Sequence, residues 1–460
     1  MQGRVDEAAA AMEGQLISGR PETGWQGAAL DSRLVQGGEL FFALPGEQTD
    51  GHLYVGAALE RGASAVVVDR AVGTPEGSGV IRVADTFRSL HLLTREARRH
   101  SPRHLVAVTG SIGKTTTKEL LAAILARRFK VARNPGNLNN LFGFPVALLG
   151  IPEDTEWMVA EMGMSTPGEL GQISRLGRPD VAVLTNIRPV HLEFFGSLRA
   201  IADAKAEILE GLAPDGALVA NRDDPEVARI AHRFGGEVVW FGIDQPAEVR
   251  AEGIEADASG PGTRFALTLG AERGEIHLPL YGRYNVENCL AAAACAFHLG
   301  VSLEEIQAGL KTVDSLAGRG IVHRLSDDRV VIDDSYNSNP VALSRALESA
   351  RALPARRHWA VLGDMLELGE GAPGFHRAAG REAAELGFGP IVGVGELARE
   401  IVAGAVEAES QGLWFEDAIA AAHELRGRLE PGDVVLVKGS RGVALESVVD
   451  SLLAGAEGAD

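Results

Sequence analysis

Residues 105–129, LVAVTGSIGKTTTKELLAAILARRF, constrain the fold more than any other stretch of this chain. A β-branched run leads into two closely spaced glycines, and a helical pattern follows in which Leu121, Leu125 and Phe129 recur every four residues. Strand, glycine turn and helix in that order gather backbone N–H groups and a helix N-terminus around one anion. Gly110, Ser111 and Gly113 let the main chain curl, and Lys114 reaches toward terminal phosphates. Thr115 and Thr116 open the helix, and the Thr115 hydroxyl suits Mg²⁺. The usual first glycine of such a loop is absent, Val108 holding its place, so the flanking strand and helix carry the reading. Residues 110–116 are expected to bind ATP or GTP; the loop alone does not name a reaction.

The same alternation of apolar strand-like runs and helical patterns continues through WMVAEMG, VAVLTNI and ALVAN, as βαβ units of a parallel sheet require. Between residues 237 and 280 it gives way to short β-like pieces, EVVWFGID, FALTLG and GEIHLPL, expected to form an antiparallel extension. A second alternating block holds VVIDD, HWAVLGD, PIVGVG and DVVLVKGS, the pattern of another doubly wound sheet. The first hundred residues carry LFFALPG and SAVVVD among glycines and read as a small α/β domain. At 460 residues the chain exceeds what one core serves. The expectation is an α/β protein of three domains: a small N-terminal α/β domain over 1–100, a central P-loop domain over 101–315 and a Rossmann-like domain over 316–460. GVGELA fits a short dinucleotide motif, but reads equally well as a glycine turn.

Acidic residues outnumber basic ones 63 to 44, a net charge of −19 that repels nucleic acid and anionic membranes. The two cysteines, Cys289 and Cys295, lie in CLAAAACAF and read as small core hydrophobes. The first residues lack an apolar signal core, and no 18-residue apolar stretch occurs. A cytoplasmic monomer without nucleic-acid or membrane partners is the expectation.

Glu161 ends the strand-like run WMVAEMG, and His191 follows VAVLTNI within RPVHLE. Parallel strands would open all these ends on the crevice that holds the phosphates. Carboxylate suits Mg²⁺; histidine is an unusual ligand for so hard an ion. In SLRAIADAKAEILEGL, Lys205 shares a face with Ile201, Leu209 and Leu212. Either its stem covers apolar surface while the amine reaches water, or the amine is desolvated so that it can react.

These segments resemble the Mur ligase family, the ATP-dependent ligases of bacterial peptidoglycan synthesis, and the resemblance spans essentially the whole chain. TGSIGKTTTK is similar to the family's ATP loop, missing glycine included. The resemblance implies that Glu161 and His191 bind metal and that Lys205, in AKAEI, takes up CO₂ as a carbamate beside a second Mg²⁺. It implies that Asn288, in YGRYNVENCL, faces the nucleotide, that Arg319, in GRG, enters from a hinge, and that Asp334, in DDSYNSNP, approaches the ribose. Ser32 and Arg33 in DSR, with Asp50 and His52 in TDGH, fall in what resembles the uridine-nucleotide domain; without the family, DSR reads as a turn. Asn137 and Asn140, in NPGNLNNLFGFP, and Tyr336 and Asn337 complete the implied substrate contacts, an asparagine-rich turn being the alternative for the first two.

DDSYNSNP followed by VLGDMLELG most resembles the family member that joins D-alanyl-D-alanine to UDP-N-acetylmuramoyl-tripeptide. The implied chemistry is activation of the tripeptide carboxylate by ATP as an acyl phosphate, followed by attack of the dipeptide amine. Lys114, Lys205, His191 and Arg319 are the catalytic candidates, and two Mg²⁺ ions the implied metals. Competing readings are a different Mur-type or folylpolyglutamate-synthetase-like ligase, a nucleotide-switched binding protein, and a simple kinase.

Overall fold

The structure is a computed structural model describing residues 1–46, 49–136, 138–189, 195–257, 262–313, 318–325, 328–425 and 427–457. Three separate sheets, each with its own core, account for the main architecture.

The central sheet has nine strands among the described residues and runs in the order Glu272–Leu278, Thr263–Leu269, Val249–Ala256, Glu237–Gly242, Ala217–Asn221, Val181–Leu184, His104–Thr109, Trp157–Glu161, Val131–Arg133. His104–Thr109 shows why it forms. Val106 and Val108 face a core shared with the helices Lys114–Leu125 and Arg283–His298, whereas Leu105 and Ala107 face the opposite core. A strand buried on both faces needs apolar residues at every position, which a parallel sheet flanked by helices supplies. The alanine-rich helix Arg283–His298 packs closely because its side chains are small. Cys289 and Cys295 are wholly buried free thiols on it, and burial pushes both upward, Cys289 to about 12.

Two features differ from the sequence pattern. The helix after the phosphate loop ends at Leu125, so Phe129 packs on that core from the following turn. The antiparallel extension begins later than expected. Glu237–Gly242 pairs parallel with Ala217–Asn221, because the intervening helix Pro225–Arg233 forms a crossover, and Val249–Ala256 is again parallel. Only Thr263–Leu269 and Glu272–Leu278 are antiparallel, the two joined by a tight hairpin.

The N-terminal sheet orders Gln15–Ser18, Val80–Arg82, Ala65–Val68, Leu40–Phe42, Ala28–Ala29, parallel except for the first. The C-terminal sheet orders Ile321–Arg324, Val330–Asp334, Asp433–Lys438, Arg357–Gly363, Ile391–Val394, Gly412–Phe415, again parallel except for the first. Among the contacts that fasten it to the central unit, the Tyr281 hydroxyl donates to the Ser349 carbonyl at 3.0 Å, and Arg345 donates to Glu287 at 2.9 Å.

Candidate active site

The phosphate loop leaves the C-terminal end of His104–Thr109 and enters the helix Lys114–Leu125. Gly113 has φ +83°, and a Cβ there would lie 2.0 Å from Asn288 Oδ1, so only glycine lets the loop pass under that asparagine. Gly110 is equally confined, since a Cβ would meet Thr185 Oγ1 at 1.9 Å. Asn186 braces the loop: its Oδ1 accepts from Ile112 N–H at 3.1 Å, its Nδ2 donates to the Ile112 carbonyl at 3.0 Å, and its carbonyl accepts from Ser111 N–H at 2.9 Å. Lys114 Nζ donates to the carbonyls of Gly110 at 3.0 Å and Ser111 at 3.3 Å. Burial pushes its pKa down, opposed by Glu161 and reinforced by Arg319.

Sheet register puts the remaining groups beside this loop. Glu161 pairs with Val108, and Leu184 with Thr109, so three neighbouring strands end together. The Glu161 carboxylate accepts from the Thr115 hydroxyl at 2.6 Å and from Asn139 Nδ2 at 2.7 Å. Its backbone is held on both sides by the buried Asn134 side chain. A hydroxyl and a carboxylate are the hard oxygen donors that Mg²⁺ prefers, so Thr115 and Glu161 fit that ion. Among the described residues no group of three or more His, Cys, Asp or Glu is arranged around a metal position. His191 and Asn137 lie outside the described residues.

Lys205, on the helix Leu198–Ala206, is only 3% exposed, so its amine does not reach bulk water as a surface-covering lysine would. Burial, then the charge of Lys114, drives its pKa well down, with Glu161 opposing. Those causes put the amine within electrostatic reach of the phosphate loop, and among the described residues no hydrogen bond or ion pair holds it.

Across a cavity of about 480 Å³, the loop faces the C-terminal sheet. Ser111, Gly113, Lys114, Thr115, Thr116, Glu161, Asn288, Arg319, Asp334, Tyr336 and Asn337 all line it. Asp334 ends its strand as a buried acid bonded to Lys438 Nζ at 2.6 Å; burial raises its pKa, and Lys438 works against that. The Arg319 guanidinium lies 3.9 Å from the Tyr336 ring centroid.

The remaining candidates lie elsewhere. Asn140 Oδ1 accepts from Phe142 N–H at 3.1 Å and Gly143 N–H at 2.8 Å, fastening the start of the helix Gly143–Leu149, while its neighbour Asn139 reaches the cavity. Ser32, Arg33, Asp50 and His52 sit on the N-terminal unit away from this cavity. Ser32 is buried, and Arg33 is 83% exposed and clasped by Asp31 through Nε at 2.9 Å and Nη2 at 2.7 Å. The buried His52 ring stands between Asp50 at 2.7 Å and Asp69 at 3.1 Å. The backbone N–H of His52, with Arg70, holds Asp50 well below the usual carboxylate range. Asn139, Asn186, Lys438 and Arg441 line the cavity without having been singled out from sequence. For Asn139 a signal existed, in the consecutive asparagines of GNLNN.

A glycine-cradled phosphate loop on a parallel sheet, facing a second doubly wound unit across one cavity, defines a nucleotide-binding protein of the P-loop class whose cavity is lined from two units. Three family models match: the Mur ligase middle domain over 108–296, the Mur ligase glutamate ligase domain over 318–441 and the Mur ligase family catalytic domain over 26–127. The chain belongs to the Mur ligase family. It is 34% identical over 434 residues to the UDP-N-acetylmuramoyl-tripeptide–D-alanyl-D-alanine ligase of Bacillus subtilis (strain 168), covering 93% of each chain. Its fold matches the crystal structure of MurF from Acinetobacter baumannii with a TM-score of 0.87 at 30% identity, covering 99% of both chains. It matches MurF ligase from Thermotoga maritima in complex with ADP with a TM-score of 0.82 at 28% identity, covering 94% of this chain and 98% of that one.

Proposed function

We propose that this protein joins D-alanyl-D-alanine to UDP-N-acetylmuramoyl-tripeptide, converting ATP to ADP and phosphate and yielding the pentapeptide precursor of peptidoglycan. The observation that carries the reading is the cavity in which the phosphate loop and Glu161 of the central sheet face Arg319, Asp334 and Tyr336 of the C-terminal sheet. The near-complete overlap with ligases of that printed activity supports it.

Joining a carboxylate to an amine in water is uphill, and a carboxylate is a poor electrophile. The tripeptide carboxylate attacks the γ-phosphorus of ATP, the bond to the ADP oxygen breaks, and the acyl phosphate forms. The dipeptide amine then attacks the acyl carbon, phosphate leaves with the carbon–oxygen bond, and the new nitrogen gives up a proton. Such steps need positioning and charge neutralisation more than a protein nucleophile. The curled loop at residues 110–116 holds the phosphates, Lys114 turns from its loop carbonyls to the terminal phosphate, and Arg319 offsets charge on departing ADP. Asn288 stands over the loop at the nucleotide, and Asp334 meets the ribose. Mg²⁺ held by Thr115 and Glu161, and a second ion held by His191 and a carbamate on Lys205, would supply Lewis-acid charge that brings two anions together.

The N-terminal unit, residues 1–100, takes the uridine nucleotide through Ser32, Arg33, Asp50 and His52. Residues 101–315 hold ATP, with Asn139 reaching the cavity from the asparagine-rich turn, and residues 316–460 receive the dipeptide near Tyr336 and Asn337. Among the described residues no helix is long and apolar enough to cross a membrane. ADP release across a panel of amino acids, glutamate conjugates and dipeptides tests the substrate assignment. Release stimulated by D-alanyl-D-alanine above the others supports it, and indifference to the dipeptide removes it.

A further inference from the structure

In the reaction proposed above, the incoming dipeptide brings a carboxylate and two methyl groups along with the reacting amine. The cations lining the cavity differ in what already holds them. Lys114 donates to loop carbonyls, Lys438 to Asp334 and Arg345 to Glu287. Arg319 is half-buried, within electrostatic reach of Lys114 and Asp334. Arg319 and Arg441 both face the Tyr336 ring, and of the two Arg441 is the exposed one. Its guanidinium lies 5.2 Å from the Tyr336 ring centroid, and among the described residues no carboxylate or carbonyl accepts from it.

Arg441 opens the turn Arg441–Val443, just past the strand Asp433–Lys438, at the edge where parallel sheets take ligands. The same wall carries Leu366, 46% exposed, whose N–H donates to Ser440 Oγ at 3.0 Å. It also carries Ser338, which is buried and whose Oγ has no hydrogen-bond partner among the described residues. A cation without a counter-ion, an exposed leucine and an unclaimed hydroxyl together match the carboxylate, methyl groups and amide of a small dipeptide.

We infer that Arg441 binds the terminal carboxylate of the incoming dipeptide and thereby sets which acceptors are ligated, an assignment that rests on the ligase reading. Wild type, Arg441→Ala and Arg441→Lys are compared with D-alanyl-D-alanine and with D-alanyl-D-alaninamide, which lacks the charge. Wild type should favour the free acid by about 10- to 100-fold in kcat/KM, chiefly through KM. Arg441→Ala should lose that preference while keeping KM for ATP and for the muramoyl tripeptide, and Arg441→Lys should recover part of it. An Arg441→Ala variant that weakens both acceptors equally, or keeps the wild-type preference, overturns the assignment. If the wild type ligates neither acceptor, the ligase reading falls with it.

Discussion

The Thr115 hydroxyl donates to the Glu161 carboxylate at 2.6 Å, across 46 residues of sequence. The contact joins the first turn after the phosphate loop to the end of the adjacent strand, and parallel register brings the two together. Asn139 holds the other carboxylate oxygen, so two hard oxygen donors are fixed in place by the fold itself.

Glu161→Gln keeps the shape and removes the charge. Activity at fixed Mg²⁺ should fall about 10- to 100-fold, and the Mg²⁺ titration midpoint should rise. An unchanged Mg²⁺ requirement would remove Glu161 from the metal site.

Lys114→Ala removes a half-buried amine whose charged form desolvation already disfavours. Ligation should drop by roughly 10²-fold or more while the thermal midpoint stays within a few degrees of wild type. Retained activity in a folded variant would contradict the phosphate-loop assignment.

Lys205→Ala should be inactive, and formate or acetate should restore part of its activity by standing in for the carbamate oxygens. Wild-type rates in Lys205→Ala without added acid or CO₂ would refute the carbamate. The structure supports a special role through the 3% exposure of this lysine.

His376 is wholly buried, with Nε2 accepting from Met365 N–H at 2.8 Å and Nδ1 against the Ala372 carbonyl at 2.6 Å, an arrangement that requires the neutral ring. Burial lowers its pKa below the ordinary 6.5. The unfolded chain therefore takes up the proton first, and the contribution to stability is complete above about 6.5 and lost as pH falls through the folded value. Between about pH 6.5 and 5, the thermal midpoint of wild type should fall more steeply than that of His376→Gln. Equal slopes would contradict this.

Much of this site is legible in sequence because each strand-like run that ends in a polar residue delivers that residue to one edge of a parallel sheet. Glu161 and Asp334 follow that rule, and the phosphate loop is recognisable despite Val108 because a strand precedes it and a helix follows. Asn139 and Asn140 could not be told apart, since adjacent residues diverge and only the folded turn decides which caps a helix and which meets Glu161. The Lys438–Asp334 pair joins residues 104 apart through the pairing of two strands, information that no local pattern contains. Val131–Arg133 is too short a strand for its alternation to register.

Mass spectrometry of a single incubation with ATP, Mg²⁺, UDP-N-acetylmuramoyl-tripeptide and D-alanyl-D-alanine tests the central claim most directly. The account predicts one muramoyl pentapeptide formed for each ADP and each phosphate released. Phosphate release at the same rate without dipeptide, and with no new amide, would contradict it.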